Sequence, residues 1–486
     1  MQKIAKSIGP FKKPSTGFFK DNRQRLLATV QQNMKITDGD IALLKGPVIV
    51  PNFDDDAAYW IPPENLYYYL MGIQEPDTYA VFDLKTAKVT VFVPKEEPAK
   101  SYWKKIKNAE DYKKEFEIDD ALYLDELPAF LKKTVDPNKN LIYVNKGKSP
   151  YSNLESLNPK EDLKEILSQF KVDEEDFYEV ACESRVFKSK DELALIQQAV
   201  DLGIYVHKEI MRVCNTVGTE TGVSNRFYSI AKQYGSELAY SNIVAAGKNA
   251  SILHYIPTGE VTFQPNDMLL IDSGCRLYGY CSDITRSYPI SGVYSQKQKD
   301  IYNAVLTAQK LVLESVRPQV SWQDMHILAE RTILFELKKL GLIQGDLHEM
   351  WEKRVIYYFM PHGLGHYIGL YVHDLPGLRK KEQHFNPIPK MNLRVKRILE
   401  EGMVLTCEPG IYFNQMLLDS AYNDPVLAPF FVKDVIESYQ KELGGVRIED
   451  MFVVTSDGAD VLTKDLPKTV EDVEAFIAAS RKNQTD

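Results

Sequence analysis

The segment MLLIDSGCRLYGYCSDITRSYP, Met268 to Pro289, decides how the rest of the chain is read. Two runs rich in apolar and β-branched residues flank a short Leu-Tyr-Gly centre, which predicts two strands joined by a tight connection. Each strand carries one aspartate, Asp272 and Asp283. A symmetric hairpin centred between Leu277 and Tyr278 sets these aspartates directly opposite each other, where facing Cβ atoms lie about 4.5–5.5 Å apart. Two buried carboxylates that close repel, so one protonates unless a cation sits between them. A dinuclear site, with ions roughly 3.5–4 Å apart, suits such a pair. Two solvated aspartates beside a turn would produce the same letters, so the metal reading depends on ligands elsewhere.

Three downstream stretches supply candidates. FMPHGLGHYIGLYVHD holds His362, His366 and His373, three of the chain's eight histidines within twelve residues. Gly363 and Gly365 argue against a helix there and for close backbone approach to a ligand. GMVLTCEPGIYF places Glu408 at the end of an apolar strand, with Pro409 keeping it extended. GGVRIEDMFVVT places Glu449 in another strand, where alternation puts Arg447 and Glu449 on one face. Alone, Glu408 reads as a turn carboxylate and Glu449 as half of an ion pair. Together Asp272, Asp283, His366, Glu408 and Glu449 make four carboxylates and one imidazole. Such hard donors suit two Mn²⁺-like ions better than a thiolate zinc site.

The surrounding composition is that of an ordinary globular protein: 486 residues, 44% hydrophobic, 26% charged, net charge −9. The acidic balance argues against a basic nucleic-acid-binding surface. Five cysteines without a CxxC pair or a secretory h-region suggest free thiols in a reducing, cytoplasmic setting. No run approaches the roughly 18 apolar residues of a membrane span.

Length alone suggests about three domains, but the texture of the chain changes once, near residue 185. Before it, TYAVFDLKTAKVTVFVP reads as two strands around a polar turn from Leu84 to Lys88, and LIYVN as a buried strand. FDDDAAYW reads as a solvated acidic loop, and Tyr67-Tyr68-Tyr69 as core or interface. After it, Ser189 and Glu192 form a capping-box pattern ahead of an amphipathic run. Helices are predicted over about 191–214, 221–234, 296–316 and 322–340.

With the five candidate ligands in order, the sequence resembles the pita-bread metallopeptidases, which include methionine aminopeptidase, aminopeptidase P and prolidase. The resemblance rests on the two aspartates eleven apart, then HGLGH, EPG and RIED, and spans roughly residues 45–475. FMPHGLGH, GMVLTCEPGIYF, GGVRIED, LLDSAYNDPVLAPFF and GIQEPDTYAVFDLKTAKVTVFVP look most like the prolidase branch. It implies an α/β (α+β) protein. A creatinase-like, aminopeptidase P-like N-terminal domain over 1–184 would precede a pita-bread catalytic domain over 185–486, a curved antiparallel sheet with flanking helices. It implies hydrolysis of Xaa-Pro dipeptides by a hydroxide bridging two divalent ions, most simply Mn²⁺, in a cytoplasmic homodimer without nucleic-acid or membrane partners. Asp272, Asp283, His366, Glu408 and Glu449 would bind metal. His254, His373 and Glu408 would take part in catalysis. Tyr240, His254, His362, His373, Arg394 and Arg447 would contact substrate, with Arg394 holding its carboxylate.

One departure stands out. The prolidase pattern GLDVHD is GLYVHD here, with Tyr371 in place of the acid. If the stretch is a strand, Tyr371 and His373 share a face. Aminopeptidase P chemistry on longer peptides, a metal-free creatinase-like enzyme and a non-catalytic binding protein are the competing readings. Arg394 and the insert favour the dipeptidase, and the complete ligand set argues against the last two.

Overall fold

A computed structural model of the protein describes residues 8, 10–49, 51–52, 55–58, 64–103, 105–257, 259, 261–383 and 388–482, with the backbone alone at 51–52, 55–58, 98 and 100. The chain divides into two compact units rather than the three its length suggests. Lys12–Val186 with Leu375–Lys380 form one, and Phe187–Asp374 with Lys381–Asp486 and the residues before Lys12 form the other. Among the described residues no helix is long and apolar enough to cross a membrane.

The smaller unit is built on a six-stranded mixed sheet. Its spatial order is Asp120–Tyr123, Val89–Val93, Tyr79–Asp83, Ile41–Lys45, Leu141–Val144 and Lys171–Asp173. Residues two apart share a strand face. Ile41 and Leu43, Tyr79 and Val81, and Ile142 and Val144 therefore line one side, where Leu127 and Leu131 of the helix Leu127–Thr134 cover them. Each such buried aliphatic side chain contributes about 1.5–3 kcal/mol. The predicted turn between Tyr79–Asp83 and Val89–Val93 is fixed by Asp83, whose Oδ1 accepts the backbone N–H groups of Lys85 and Thr86 at 2.8 and 2.9 Å. Tyr67, Tyr68 and Tyr69 are core residues of the helix Asn65–Met71. Pro51–Asn52 pairs with Asp55–Ala58 as a short hairpin, so part of the acidic run is strand rather than loop. The other residues of FDDDAAYW, and its side chains, lie outside the described residues.

The larger unit opens with the helix Lys190–Val217, started by the reciprocal Ser189–Glu192 capping box and ended by Gly218 in the left-handed region. Glu220–Gln233, Gln296–Ser315 and Trp322–Lys339 match the other predicted helices to within a residue or two. Its strands pair antiparallel throughout the named ladders. Ile243–Ala246, Met268–Asp272 and Thr285–Pro289 form one sheet, and Val404–Cys407, Asp450–Val454 and Ala459–Val461 another. Gly410–Tyr412 pairs with Gly445–Arg447, and an isolated bridge joins Thr285 to Glu449.

The central hairpin has a different register from the symmetric one expected. Leu277 pairs with Tyr280 and Asp272 with Thr285, not Asp283. The turn residues are Tyr278 and Gly279, both at positive φ (49° and 86°), the conformation of the two-residue turn that follows strand twist. Their demand for left-handed backbone moves the centre one residue past the symmetric guess. The two aspartates become diagonal neighbours on the same side of the ladder.

Candidate metal centre

Four local structures deliver the carboxylates and imidazole to one place. Asp272 ends the strand Met268–Asp272, and Asp283 precedes Thr285–Pro289. The segment from Leu364 to Ile368 runs beside Val404–Cys407. His366 O accepts the Thr406 N–H at 3.0 Å, and Leu364 O accepts the Glu408 N–H at 2.8 Å. This close lane requires glycine. A Cβ on Gly363 or Gly365 would lie 2.3 Å from Asn392 O or 2.0 Å from Thr406 O. The approach those glycines permit is thus to the protein's own backbone, not to a ligand. Glu449 follows Gly445–Arg447 and accepts the Thr285 hydroxyl at 2.7 Å.

Asp283, His366 and Glu449 each present a ligand atom, all within 4.8 Å of one another. His366 Nε2 lies 3.3 Å from Asp283 and 3.7 Å from Glu408. Its Nδ1 is 3.0 Å from the carbonyl of Tyr367, which holds the proton on Nδ1 and leaves Nε2 as the donor atom. Asp272 stands at the edge of this group. The Tyr240 hydroxyl lies 2.5 Å from Oδ1 of both Asp272 and Asp283, and Arg447 Nη2 donates to Asp272 Oδ2 at 2.6 Å.

The electrostatics fit a cation. Burial, reinforced by the charges of Asp283, Glu408 and Asp272, pushes the Glu449 carboxyl well above its ordinary range. Burial and the Asp272 charge raise Asp283. Burial pushes Glu408 up to about 7 against the opposing pull of His366 and Arg447. Burial would lower His366, but its hydrogen bond to Asp283 and the Glu408 charge more than offset that and raise it. A site that holds its acids toward the protonated form and draws its imidazole toward the charged form lacks positive charge. Four hard oxygen ligands and one nitrogen suit divalent ions.

Of the remaining predicted residues, Arg447, Tyr240, His362 and His373 lie beside this centre. Arg447 is 3% exposed. Its guanidinium donates to Asp272, to the Tyr412 hydroxyl at 2.9 Å and to Thr285 Oγ1 at 3.3 Å, and among the described residues no ion pair joins it to Glu449. Tyr240 likewise faces the aspartates. His362 Nε2 is 2.9 Å from the Tyr412 hydroxyl, and burial with the Arg447 charge pushes it down to about 3. His373 stacks edge-on against His366, with ring centroids 4.4 Å apart. Burial, then the charges of His366, Arg394 and His254, push it down to about 2, so it is neutral. His254 itself is exposed and Arg394 half-buried.

Tyr371 does not lie on a strand. Residues 371–373 form a bend closed by a Gly369 N–H to Tyr371 carbonyl bond at 3.0 Å, so alternation says nothing about a face shared with His373. Tyr371 is 39% exposed. Three contributors escaped the sequence reading: Thr285, Tyr412 and Met451, whose sulfur accepts the Asp283 N–H at 3.2 Å. Period two from Asp283 to Thr285, and from Glu408 through Gly410 to Tyr412, was a usable signal for the first two. Met451 had none.

A buried cluster of hard ligands on a paired antiparallel scaffold makes a candidate site for divalent ions. Residues 194–456 match metallopeptidase family M24, and residues 19–143 match the aminopeptidase P N-terminal domain. The chain belongs to metallopeptidase family M24 and is a metal-dependent peptidase. It is 35% identical to the Xaa-Pro dipeptidase of Rattus norvegicus over 468 residues, and 33% identical to that of Homo sapiens over 467. Both alignments cover 95% of this chain and 93% of the relative. Aminopeptidase PepP of Pseudomonas aeruginosa superposes with a TM-score of 0.79 at 26% identity, covering 97% of this chain and 100% of that one. The same figures hold for zinc-substituted E. coli aminopeptidase P in complex with product.

Proposed function

We propose that the protein hydrolyses Xaa-Pro dipeptides, with Asp272, Asp283, His366, Glu408 and Glu449 holding two divalent ions, Mn²⁺ in the first instance. The observation that carries this reading is the likeness to Xaa-Pro dipeptidases along 95% of the chain. When bound, the ions would supply Lewis acidity toward the scissile carbonyl and ionise a water near neutral pH. The chain's own groups do the rest. His366 would present Nε2, its other nitrogen being engaged by Tyr367. Tyr240 and Arg447 would fix the rotamers of Asp272 and Asp283. Neutral His373, or His254, would donate an N–H to the carbonyl oxygen as negative charge develops there. Glu408 would pass a proton to the leaving proline nitrogen. Arg394 would hold the dipeptide's free carboxylate through its two-pronged guanidinium, and His362 would line the substrate side.

The two matched families support a division into an N-terminal domain over 1–184 and a catalytic domain over 185–486. The five cysteines are buried and free, in keeping with a reducing, cytoplasmic site of action. A homodimer is proposed on family resemblance.

Release of the first residue from longer Xaa-Pro peptides is the second reading. It is favoured by structural neighbours that are aminopeptidases P, and by a relative named probable Xaa-Pro aminopeptidase at 31% identity. Hydrolysis of Ala-Pro and Ala-Pro-Ala by the Mn²⁺-loaded protein separates the two. Preference for the dipeptide is expected. Preference for the tripeptide transfers the assignment to aminopeptidase P and removes the carboxylate role from Arg394.

A further inference from the structure

Outside the metal centre, one fully buried carboxylate is devoted to holding a loop. Glu220 opens the helix Glu220–Gln233 behind its Thr219 cap and is 0% exposed. Its Oε1 accepts the backbone N–H of Ala246 at 2.7 Å and the side-chain amide of Asn249 at 3.0 Å. Its Oε2 accepts the Tyr255 hydroxyl at 2.7 Å. The first two donors lie upstream of His254 and the third is the next residue. A buried carboxylate is tolerated where such donors satisfy it, and hydrogen bonds to a charged acceptor are the stronger kind.

The same helix start grips the far side of the loop. The Glu220 N–H donates to Val261 O at 3.3 Å and the Phe263 N–H to Gly218 O at 3.1 Å. The Thr221 hydroxyl donates to Gly259 O, and Thr219 bridges Thr262. Leu253 and Tyr255, on either side of His254, pack on the cluster of Ile243, Ala245, Ala250, Leu270 and Tyr412. Both neighbours of His254 are thus anchored while its own ring stays exposed.

We propose that Glu220 is a positioning residue for His254, tying the loop from Ala246 to Phe263 to the helix so that the imidazole meets the substrate carbonyl. This rests on the reading of His254 as a substrate-facing group. Glu220 acts through Tyr255 and the backbone and touches no ligand of the metal centre in these bonds.

The test compares kcat and KM on Ala-Pro for the Mn²⁺-loaded wild type, H254A, E220A, E220Q, Y255F and the H254A/Y255F double variant, with Tm and bound metal measured for each. H254A should lower kcat. E220A should lower it by about 100-fold, the scale of a roughly 1 Å misplacement, with metal content unchanged. Y255F should cost about tenfold, as one hydrogen bond to a charged group does. E220Q should recover most of the E220A loss, because its carbonyl still accepts from Ala246 and Asn249 and its amide can donate to Tyr255. In the H254A background Y255F should cost nothing further. Full activity in Y255F, or a loss that adds to that of H254A, overturns the proposal. If E220A does not fold, the Y255F pair decides alone. A fully active H254A would instead remove His254 from the proposed mechanism, and the inference with it.

Discussion

Stripping metal from the protein should make its stability fall as pH rises from 6.5 to 8.0. An unfolded glutamate is ionised throughout that range, whereas folded Glu408 keeps its proton up to about 7. The folded state then binds more protons than the unfolded one, so stability decreases with pH. Integrating over the window gives about 1 kcal/mol from Glu408. Asp283 and Glu449 are raised in the same sense, and a raised His366 also loses its contribution as pH rises. The buried neutral His207, His362 and His373 oppose this, each by about 0.4 kcal/mol across the window, because an unfolded histidine is still half protonated at about pH 6.5. The net fall therefore needs Asp283, Glu449 and His366 to add to Glu408. The buried thiols of Cys275 and Cys281, pushed up to about 12, enter only near the unfolded thiol value of about 8.5. A unit of this size unfolds with roughly 0.6 kcal/mol/K of entropy. Glu408 alone therefore lowers Tm by about 2 °C across the window, and the other acids add to it. Mn²⁺ at a hundred times its Kd adds about 2.7 kcal/mol. Its affinity should climb with pH, because the ligands must shed protons to bind it. Differential scanning calorimetry of chelator-treated and Mn²⁺-loaded protein at several pH values checks this. A metal-free Tm that is flat or rising over the window, with no pH-dependent gain from Mn²⁺, refutes the account of a centre made of charge-starved acids.

Further substitutions probe the scaffold. Asp283→Asn should reduce bound metal and lower kcat/KM by about 1,000-fold or more, read by metal analysis and steady-state kinetics. Arg447→Met leaves Asp272 unpaired in a buried site and should cost about 3–5 kcal/mol in the metal-free protein. Urea unfolding should show a smaller penalty once Mn²⁺ is bound. Gly365→Ala drives a Cβ to 2.0 Å from Thr406 O and should destabilise by roughly 2–4 kcal/mol, with lower Tm and metal content. Arg394→Met should raise KM for Ala-Pro more than for Ala-Pro-Ala.

Much of this was legible because local chemistry and global fold agree. The capping box at Ser189, the alternation in TYAVFD and VTVFV, and the glycine-bounded HGLGH segment each specify one local structure that the tertiary fold then uses. The ligand types were readable from residue chemistry, their convergence only through resemblance. Other features depended on contacts that no single segment encodes. The hairpin register turned on Tyr278 adopting a left-handed conformation beside Gly279. The contact of Arg447 with Asp272 joins positions 175 apart. Whether Tyr371 and His373 share a face hung on a strand that the sequence left open, and Gly369 closes a bend there instead. Glu220 sits in an ordinary helix start, and its partners lie 26 to 35 residues downstream.

The central claim is that Asp272, Asp283, His366, Glu408 and Glu449 together hold two divalent ions. Anomalous diffraction from crystals grown with Mn²⁺, recorded at the manganese edge, tests it directly. The account predicts two peaks within this cluster, with His366 Nε2 facing one of them. A single peak that leaves Asp272 on Arg447 and Tyr240, or no peak between Asp283, His366 and Glu449, would contradict it.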